Sequence, residues 1–344
     1  MLGINIGVDL GTTSTIIFVE GKGIVLSEPT AAAYEKATGK MFATGKKAYG
    51  MVGRTPDSIK VVLPMKDGVV SDFTVTQNIL RYYLQKICGN MVFKPNIIIC
   101  LPCSVTNLEK RTILDLATSS GAARACLIEE PLAAAIGAGV EINHPKGVLV
   151  VDIGGGTADI AVITMGSIAV SNSIKVAGNA FDDAIVRYFR RERDILIGVR
   201  TAEKIKSKIG CAYLREAELA IEVKGKNYIT GMPARAEITS TDVYLAIREQ
   251  LEYIGEAVRT VLEATPPELG ADISENGILL TGGGALLTGM DIMIERKTGI
   301  KTRIADDPMN CVANGIGKVL KNLDILADSG YLFKTGEEVR GYRE

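Results

Sequence analysis

The apolar positions of the chain fall into short blocks rather than long stripes. INIGVDL (4–10) and the apolar run after it form one pair, and GVLVVDI (147–153) and the run after it form another. Each pair encloses a turn rich in Gly, Thr and Ser. Apolar runs bounded by glycine read as buried strands, and a tight turn between two of them as a hairpin. Aligning Asp9 with Asp152 and Gly11 with Gly154 lays residues 4–25 over 147–170 as strand, Asp-x-Gly turn and strand. A second pair follows in each half. EEPLAAAIGAGV (129–140) and DPMNCVANGIGKVL (307–320) are small-residue helical stretches shortly after a proline, each with a G-x-G: Gly137 and Gly139, Gly315 and Gly317. Such internal similarity predicts two halves of like topology. Helices that cross between them at small residues imply a cleft and a hinge.

Between these landmarks the pattern changes segment by segment. Residues 28–66 read as an insert of strands and turns, 72–90 as a helix with one apolar face, and NIIIC (96–100) as a buried strand. Thr106 and Glu109 form a capping box that opens a helix to about residue 119. In the second half 181–195 and 201–210 read as helices, and 217–240 alternates polar and apolar as strands do. Residues 241–263 form a long amphipathic helix, stopped by Thr265-Pro266-Pro267. GILLTGGGALLTGMD (277–291) reads as strand, glycine turn and helix. The mixed, charged segment after Leu323 has the character of a loosely attached tail.

At 344 residues the chain exceeds the size of one hydrophobic core, so two domains are expected. Apolar residues make up 47% and the net charge is 39 − 40 = −1. That balance excludes global disorder and lacks the electrostatic footprint of a dedicated nucleic-acid binder. No apolar run approaches the ~18 residues of a membrane span. The N-terminus shows no secretory signal, so a cytoplasmic protein is expected. Six cysteines fit a reducing compartment. Cys100 and Cys103 form a C-x-x-C, read as the end of a buried strand and the loop after it rather than as a redox pair. With His144 the single histidine, a zinc site lacks ligands.

Candidate chemistry sits in the turns. No P-loop, dinucleotide-binding glycine motif or G-x-S-x-G elbow is present. DLGTTST and DIGGGT instead let backbone N–H groups point inward as an anion-binding nest. Gly11, Thr12, Thr13 and Ser14 would serve from one side, and Gly154, Gly155, Gly156 and Thr157 from the other. Asp9 and Asp152, which start the turns, would repel phosphates unless a divalent cation intervened. Mg²⁺ keeps several waters and takes few carboxylates, which suits the pattern. TGGGALLTG (281–289) is a third glycine turn, open to an anion or a flat base, or an ordinary strand-to-helix turn.

With these residues in place, the chain resembles the actin–hexokinase–heat-shock chaperone ATPase superfamily and, within it, the bacterial cell-shape actins of the MreB and Mbl type. The resemblance rests on DLGTTST, KGIVLSEP (22–29), VGRTPDSI (52–59), KDGVVSDF (66–73), IEEPLAAAIGAG (128–139), VVDIGGGTADIAV (150–162), GVRTAEKIKSKIG (198–210), TPPELGADI (265–273), ILLTGGGALLTGMD (278–291) and PMNCVANGIG (308–317). It runs nearly end to end, from Ile4 to about Leu323.

The resemblance implies an α/β, actin-like ATPase fold of two duplicated RNase H-like domains around a nucleotide cleft, each with a smaller inserted subdomain. The division would be 1–31 with 67–145 and 318–344 (IA), 32–66 (IB), 146–181 with 249–317 (IIA) and 182–248 (IIB). It implies ATP, ADP after hydrolysis, and Mg²⁺, whose waters Asp9 and Asp152 would hold while the two turns clamp the β- and γ-phosphates. Glu130 matches the position that orients the attacking water, with Thr157 assisting and Glu129 ranked second. Phosphoryl transfer needs positioning and charge neutralisation more than a strong base. An acid at Glu130 also suits a helix N-terminus for its dipole alone. Glu203 and Lys206, three apart on one helical face, would line the nucleoside side of the cleft, or else form a surface ion pair. Gly282, Gly283 and Gly284 would close around the adenosine from the other side. Thr13 and Ser14 stand where the family usually has Ala and Asn, Ala158 replaces a threonine and Asn179 an aspartate. Binding should survive these departures; the hydrolysis rate is less constrained.

By the same resemblance the chain would assemble into filaments of paired protofilaments on the inner face of the cytoplasmic membrane, beside membrane proteins of cell-wall synthesis. Only three residues precede the first strand, so an N-terminal amphipathic anchor is not expected. Met91, Val92 and Phe93 would instead insert shallowly, with Lys94 on anionic headgroups, or pack on their own subdomain. Arg187, Arg190, Arg191 and Arg193 are diluted by Asp182, Asp183, Glu192 and Asp194, so no nucleic-acid partner is expected. The rival readings are a small-molecule kinase of the same superfamily, for which no extra substrate motif is seen, and a chaperone ATPase, which would need a further substrate-binding domain.

Overall fold

The computed structural model describes residues 4–89, 94–321, 334–335 and 338. The loop residues Met91, Val92 and Phe93 lie outside them. The chain opens as an antiparallel meander of β1 (Asn5–Leu10), β2 (Ser14–Val19) and β3 (Gly23–Pro29). An insert follows, with β4 (Ala32–Glu35), β5 (Met41–Thr44), α1 (Gly45–Tyr49) and β6 (Ile59–Val62). The ribbon β7 (Met65–Lys66) and β8 (Val69–Val70) leads back to α2 (Phe73–Cys88), β9 (Asn96–Leu101), α3 (Asn107–Ser119), β10 (Arg124–Glu129) and α4 (Glu130–Gly137).

The second half repeats the plan. β11 (Val148–Ile153), β12 (Ala158–Thr164) and β13 (Ser167–Ile174) form the meander. α5 (Gly178–Glu192), β14 (Ile195–Leu196), α6 (Val199–Ile209), β15 (Ala220–Asn227) and β16 (Pro233–Thr239) form the larger insert. Then come α7 (Ser240–Glu263), α8 (Pro267–Asn276), β17 (Ile278–Thr281), α9 (Met290–Thr298), β18 (Thr302–Ile304) and α10 (Cys311–Lys321). The two main sheets read β10-β9-β1-β2-β3 and β18-β17-β11-β12-β13. In each, the outer two of these strands run parallel to the first strand of the meander. The central strands are mostly apolar because both faces are covered, and the exceptions include the acids Asp9, Asp152 and Asp159.

The expected capping box at Thr106 and Glu109 is complete, and Thr239 with Asp242 forms a second one at the start of α7. Four features depart from the sequence reading. The first insert contains the helix α1 besides strands and turns. The Pro266-Pro267 pair that ends α7 also starts α8, because proline fits a helix's first turn. The glycine turn at Gly282 runs into a single 3₁₀ turn, Gly283–Leu286, and α9 begins only at Met290. In the tail after Leu323 the described residues Lys334–Thr335 (β19) pair with Arg124 and Ala125 at the edge of β10.

Each half has its own buried core, and a third cluster joins them. α4 and α10 form its centre and pack on each other more extensively than any other helix pair among the described residues. Glycines permit that crossing. A Cβ on Gly137 would overlap the Cys311 carbonyl, and one on Gly315 would overlap the Ala133 carbonyl.

Candidate functional site

The first strand of each meander ends in an equivalent turn. Gly11 N–H donates to the Ser14 carbonyl at 2.9 Å, and Gly154 N–H donates to the Thr157 carbonyl at 2.9 Å. The aligned residues thus make the same hydrogen bond in both halves. The turns also meet. A Cβ on Gly155 would fall on the Thr13 side chain, and one on Gly156 on the Thr12 side chain. No larger residue fits at either position. The Gly154 and Gly155 carbonyls accept from Gly178 N–H (3.1 Å) and Asn179 N–H (2.8 Å) at the start of α5, which fixes the second turn's peptide orientation. Thr12 Oγ1 accepts from Gly68 N–H at 2.9 Å, so the β7–β8 ribbon steadies the first turn.

Four carboxylates gather behind these turns: Asp9, Asp152, Asp159 and Glu130. Burial pushes Asp9 up to about 7, helped by Asp152. Burial pushes Asp152 up to about 6; a 2.7 Å hydrogen bond from the Thr281 hydroxyl opposes the shift and Asp159 adds to it. Glu130 is raised well above the carboxylate range, first by burial and then by Asp159, Asp9 and Asp152. One divalent cation would relieve this mutual repulsion. Among the described residues no set of three or more His, Cys, Asp or Glu forms a metal cage. Asp9 and Asp152, beside two glycine-bearing turns, are the residues that could hold a hydrated Mg²⁺, which keeps several waters and takes few carboxylates.

Glu129 and Glu130 separate in role. Glu130 is the first residue of α4 and joins the carboxylate group. Glu129 is the residue before the helix and lies 3.9 Å from Lys110. Burial raises the thiols of Cys100 and Cys103, and nearby carboxylates raise them further, so neither is a ready thiolate.

Glu203 and Lys206 share a helix but do not pair with each other. Glu203 Oε2 accepts from the Tyr49 hydroxyl at 2.7 Å, across the mouth between the two inserts. Lys206 Nζ donates to Asp182 (2.9 Å) and to the Gly178 carbonyl (2.8 Å), beside the Gly154–Gly155 turn. Burial holds Asp182 up at about 6 despite that partner. Arg200 sits over the Tyr49 ring and donates to the Gly50 carbonyl at 2.7 Å, so α1 and α6 are joined twice. Gly282 and Gly284 press on Ile153 at the end of β11, while Gly283 faces open space.

Sequence reasoning passes over Asp159, Tyr49, Arg200 and Thr281. A signal existed for Asp159. It is an acid inside the otherwise apolar strand ADIAVIT, where an unpaired charge is costly. The others are recognisable only through partners distant in sequence.

A family model described as MreB/Mbl protein matches residues 3–328. The chain belongs to the MreB/Mbl family. It is 46% identical over 327 residues to the cell shape-determining protein Mbl of Bacillus cereus, covering 95% of this chain and 98% of that protein. To the cell shape-determining protein MreB of Escherichia coli it is 43% identical over 331 residues, covering 94% and 95%. Among solved structures, MreB5 of Spiroplasma citri bound to ADP superposes with a TM-score of 0.90 at 38% identity, covering 96% of this chain and 99% of that one. The MamK double helical filament matches with a TM-score of 0.79 at 20% identity over 93% of this chain and 99% of that one, which speaks for the fold alone. The fold is therefore the actin-like α/β fold of the MreB/Mbl family. No helix among the described residues is long and apolar enough to cross a membrane.

Proposed function

We propose that this MreB/Mbl chain binds ATP in the cleft between its halves, polymerises, and hydrolyses ATP slowly to ADP and phosphate as the polymer turns over. The observation that carries the reading is the meeting of Thr12 and Thr13 with Gly155 and Gly156, with Asp9, Asp152 and Glu130 gathered beside them. The nucleotides ADP and AMPPNP bound to Spiroplasma citri MreB5 support it.

In this reading the two turns 11–14 and 154–157 hold the phosphates: the N–H groups of Gly11 and Gly154 close the turns, and the remaining N–H groups and the hydroxyls of Thr12, Thr13, Ser14, Gly155, Gly156 and Thr157 face the phosphates. Asp9 and Asp152 hold the water shell of Mg²⁺. When bound, the ion neutralises charge on the phosphates. Glu130 orients the attacking water and accepts its proton, and the Thr157 hydroxyl positions the same water. Burial among other acids suits Glu130 to that task, because it raises the carboxylate's proton affinity above the ordinary carboxylate value. Lys206 supports the second phosphate turn through Gly178. Glu203 serves the nucleoside side and Gly282, Gly283 and Gly284 flank the adenosine. Polymers would lie on the inner membrane face through Met91, Val92 and Phe93, and there organise cell-wall synthesis and rod shape with its membrane proteins.

Two measurements test this. The chain should pellet on ultracentrifugation with Mg·ATP and no phosphate acceptor; a chain that stays in the supernatant at all nucleotide concentrations excludes the polymer. Glu130→Ala should keep nucleotide affinity and lower phosphate release by roughly ten- to ten-thousandfold. If Glu129→Ala does this and Glu130→Ala does not, the two roles are exchanged.

A further inference from the structure

We propose that Lys206 is a positioning residue for the phosphates rather than a ligand of the nucleoside, acting through two peptide groups in series on the Gly156 N–H. The proposal rests on the reading of this cleft as a nucleotide site.

The path is a run of hydrogen bonds. Lys206 Nζ donates to the Gly178 carbonyl at 2.8 Å. The N–H of that same peptide group belongs to Asn179 and donates to the Gly155 carbonyl at 2.8 Å. The N–H of the Gly155 peptide group, in turn, belongs to Gly156. The peptides here are trans, and a trans peptide points its carbonyl and its N–H to opposite sides. Gly156 N–H therefore points away from α5. Gly155 N–H does the same, because the Gly154 carbonyl accepts from Gly178 N–H at 3.1 Å. Neither N–H has a hydrogen-bond partner among the described residues. Two successive N–H groups aimed to one side make an anion nest. An ammonium at the head of such a chain polarises each amide after it, so the last N–H becomes a stronger donor.

The duplication argues that the turn itself needs no cation. Gly11, aligned with Gly154, has its carbonyl held by the Thr30 hydroxyl at 2.9 Å, and Thr30 N–H donates to the Thr13 carbonyl at 3.0 Å. A buried, neutral side chain suffices there. In the second half the turn's carbonyls are held by the α5 backbone, and that backbone by an ammonium, at the cost of a largely buried ion pair with Asp182 (2.9 Å). A positive charge behind the donors is explained by a negative ligand in front of them, and Asp182 offsets that charge from behind. Glu203, three residues earlier on α6, is engaged with Tyr49 instead.

The test uses the full chain with Mg²⁺, below the concentration at which it pellets, and measures displacement of a fluorescent ATP analogue by ATP and by inorganic tripolyphosphate. Lys206→Met should weaken both by the same factor, about fivefold or more, the scale of one hydrogen bond. Asp182→Asn, which keeps the lysine and its bond to Gly178, should bind both at least as tightly as the parent, because less of the ammonium's charge is neutralised. If the pair were only a scaffold, the second variant would lose as much as the first. Three results overturn the proposal: parent-like binding in Lys206→Met; a loss confined to ATP, which makes Lys206 a nucleoside ligand; or a loss in Asp182→Asn matching that in Lys206→Met. Should Lys206→Met fail to fold around its unpaired acid, Lys206→Met combined with Asp182→Asn removes both charges and is read by the first two criteria. In each of these results the parent still binds ATP, so the nucleotide reading stands. A parent that binds neither ATP nor tripolyphosphate removes that reading and the proposal with it.

Discussion

Gly315→Ala is the sharpest test of the joint between the halves, because two effects predict opposite signs. Gly315 lies inside α10, and in an unobstructed helix interior alanine is favoured over glycine by about 0.5–1 kcal/mol. Here the added methyl would overlap the Ala133 carbonyl and reach within 3.0 Å of Gly137 N. To restore an ordinary carbon–oxygen separation of about 3.3–3.6 Å, α4 and α10 would have to part by more than about 1 Å. A gap of about 0.5–1 Å already forfeits a quarter to a half of each dispersion contact. The contacts at stake include Leu132, Ile136, Val312, Ile316 and Val319, all buried in the joining cluster. Overpacking of this kind costs about 1–3 kcal/mol or more, so the net change should be a loss of about 2 kcal/mol. At about 2–4 °C per kcal/mol for a large domain, the melting temperature should fall by roughly 4–8 °C. Gly270→Ala is the control. It lies in α8 with nothing near its would-be Cβ, and should melt at or slightly above the parent. Gly315→Ala melting as high as Gly270→Ala would refute the reasoning.

Three further outcomes are expected. Asp9 and Asp152 have folded-state proton affinities raised from 3.8 to about 7 and about 6, so the folded chain binds protons that the unfolded chain releases. Their stabilising contribution is present at low pH and lost as pH rises through about 6–7. The nucleotide- and metal-free protein should therefore melt higher at pH 5.5 than at pH 8, and less so in Asp9→Asn; a fall on acidification across that window contradicts the buried acid group. Tyr49→Phe removes the hydroxyl bond to Glu203, worth about 1 kcal/mol at a part-exposed position. Release of a fluorescent ATP analogue in stopped flow should quicken about fivefold, and an unchanged rate would leave the bond without a role in retention. Val92→Asp with Phe93→Asp should leave pelleting with ATP intact but abolish flotation with anionic liposomes, since weak lipid contacts gain strength only through repetition along a polymer; equal flotation of parent and variant removes the membrane role of the loop.

What could be read from the chain beforehand depended on how local each signal was. The DLGTTST and DIGGGT turns, the Thr106 cap and the glycine-bearing helices each carry their reason within a few residues. The two-half plan followed from recognising the duplication and the resemblance, while the order of the strands within each sheet was not read from the chain. Glu203 shows the limit. Its helical face was legible, but its partner Tyr49 lies 154 residues away in an insert whose own helix α1 was not foreseen. Asp159 was visible as an anomaly in an apolar strand, yet its place beside Asp152 and Cys103 came only with the fold.

The two bonds between the inserts, Tyr49 to Glu203 and Arg200 to Gly50, lie at the rim, away from the α4–α10 crossing. If that crossing is the pivot, they act at the end of a lever. A small rotation at the glycines becomes a large excursion at the rim, and a weak bond there opposes opening with the longest available moment arm. Side chains of modest individual strength can in this way govern how often the whole molecule gapes. A distance probe spanning the inserts would register each opening, while one spanning Gly137 and Gly315 would stay silent.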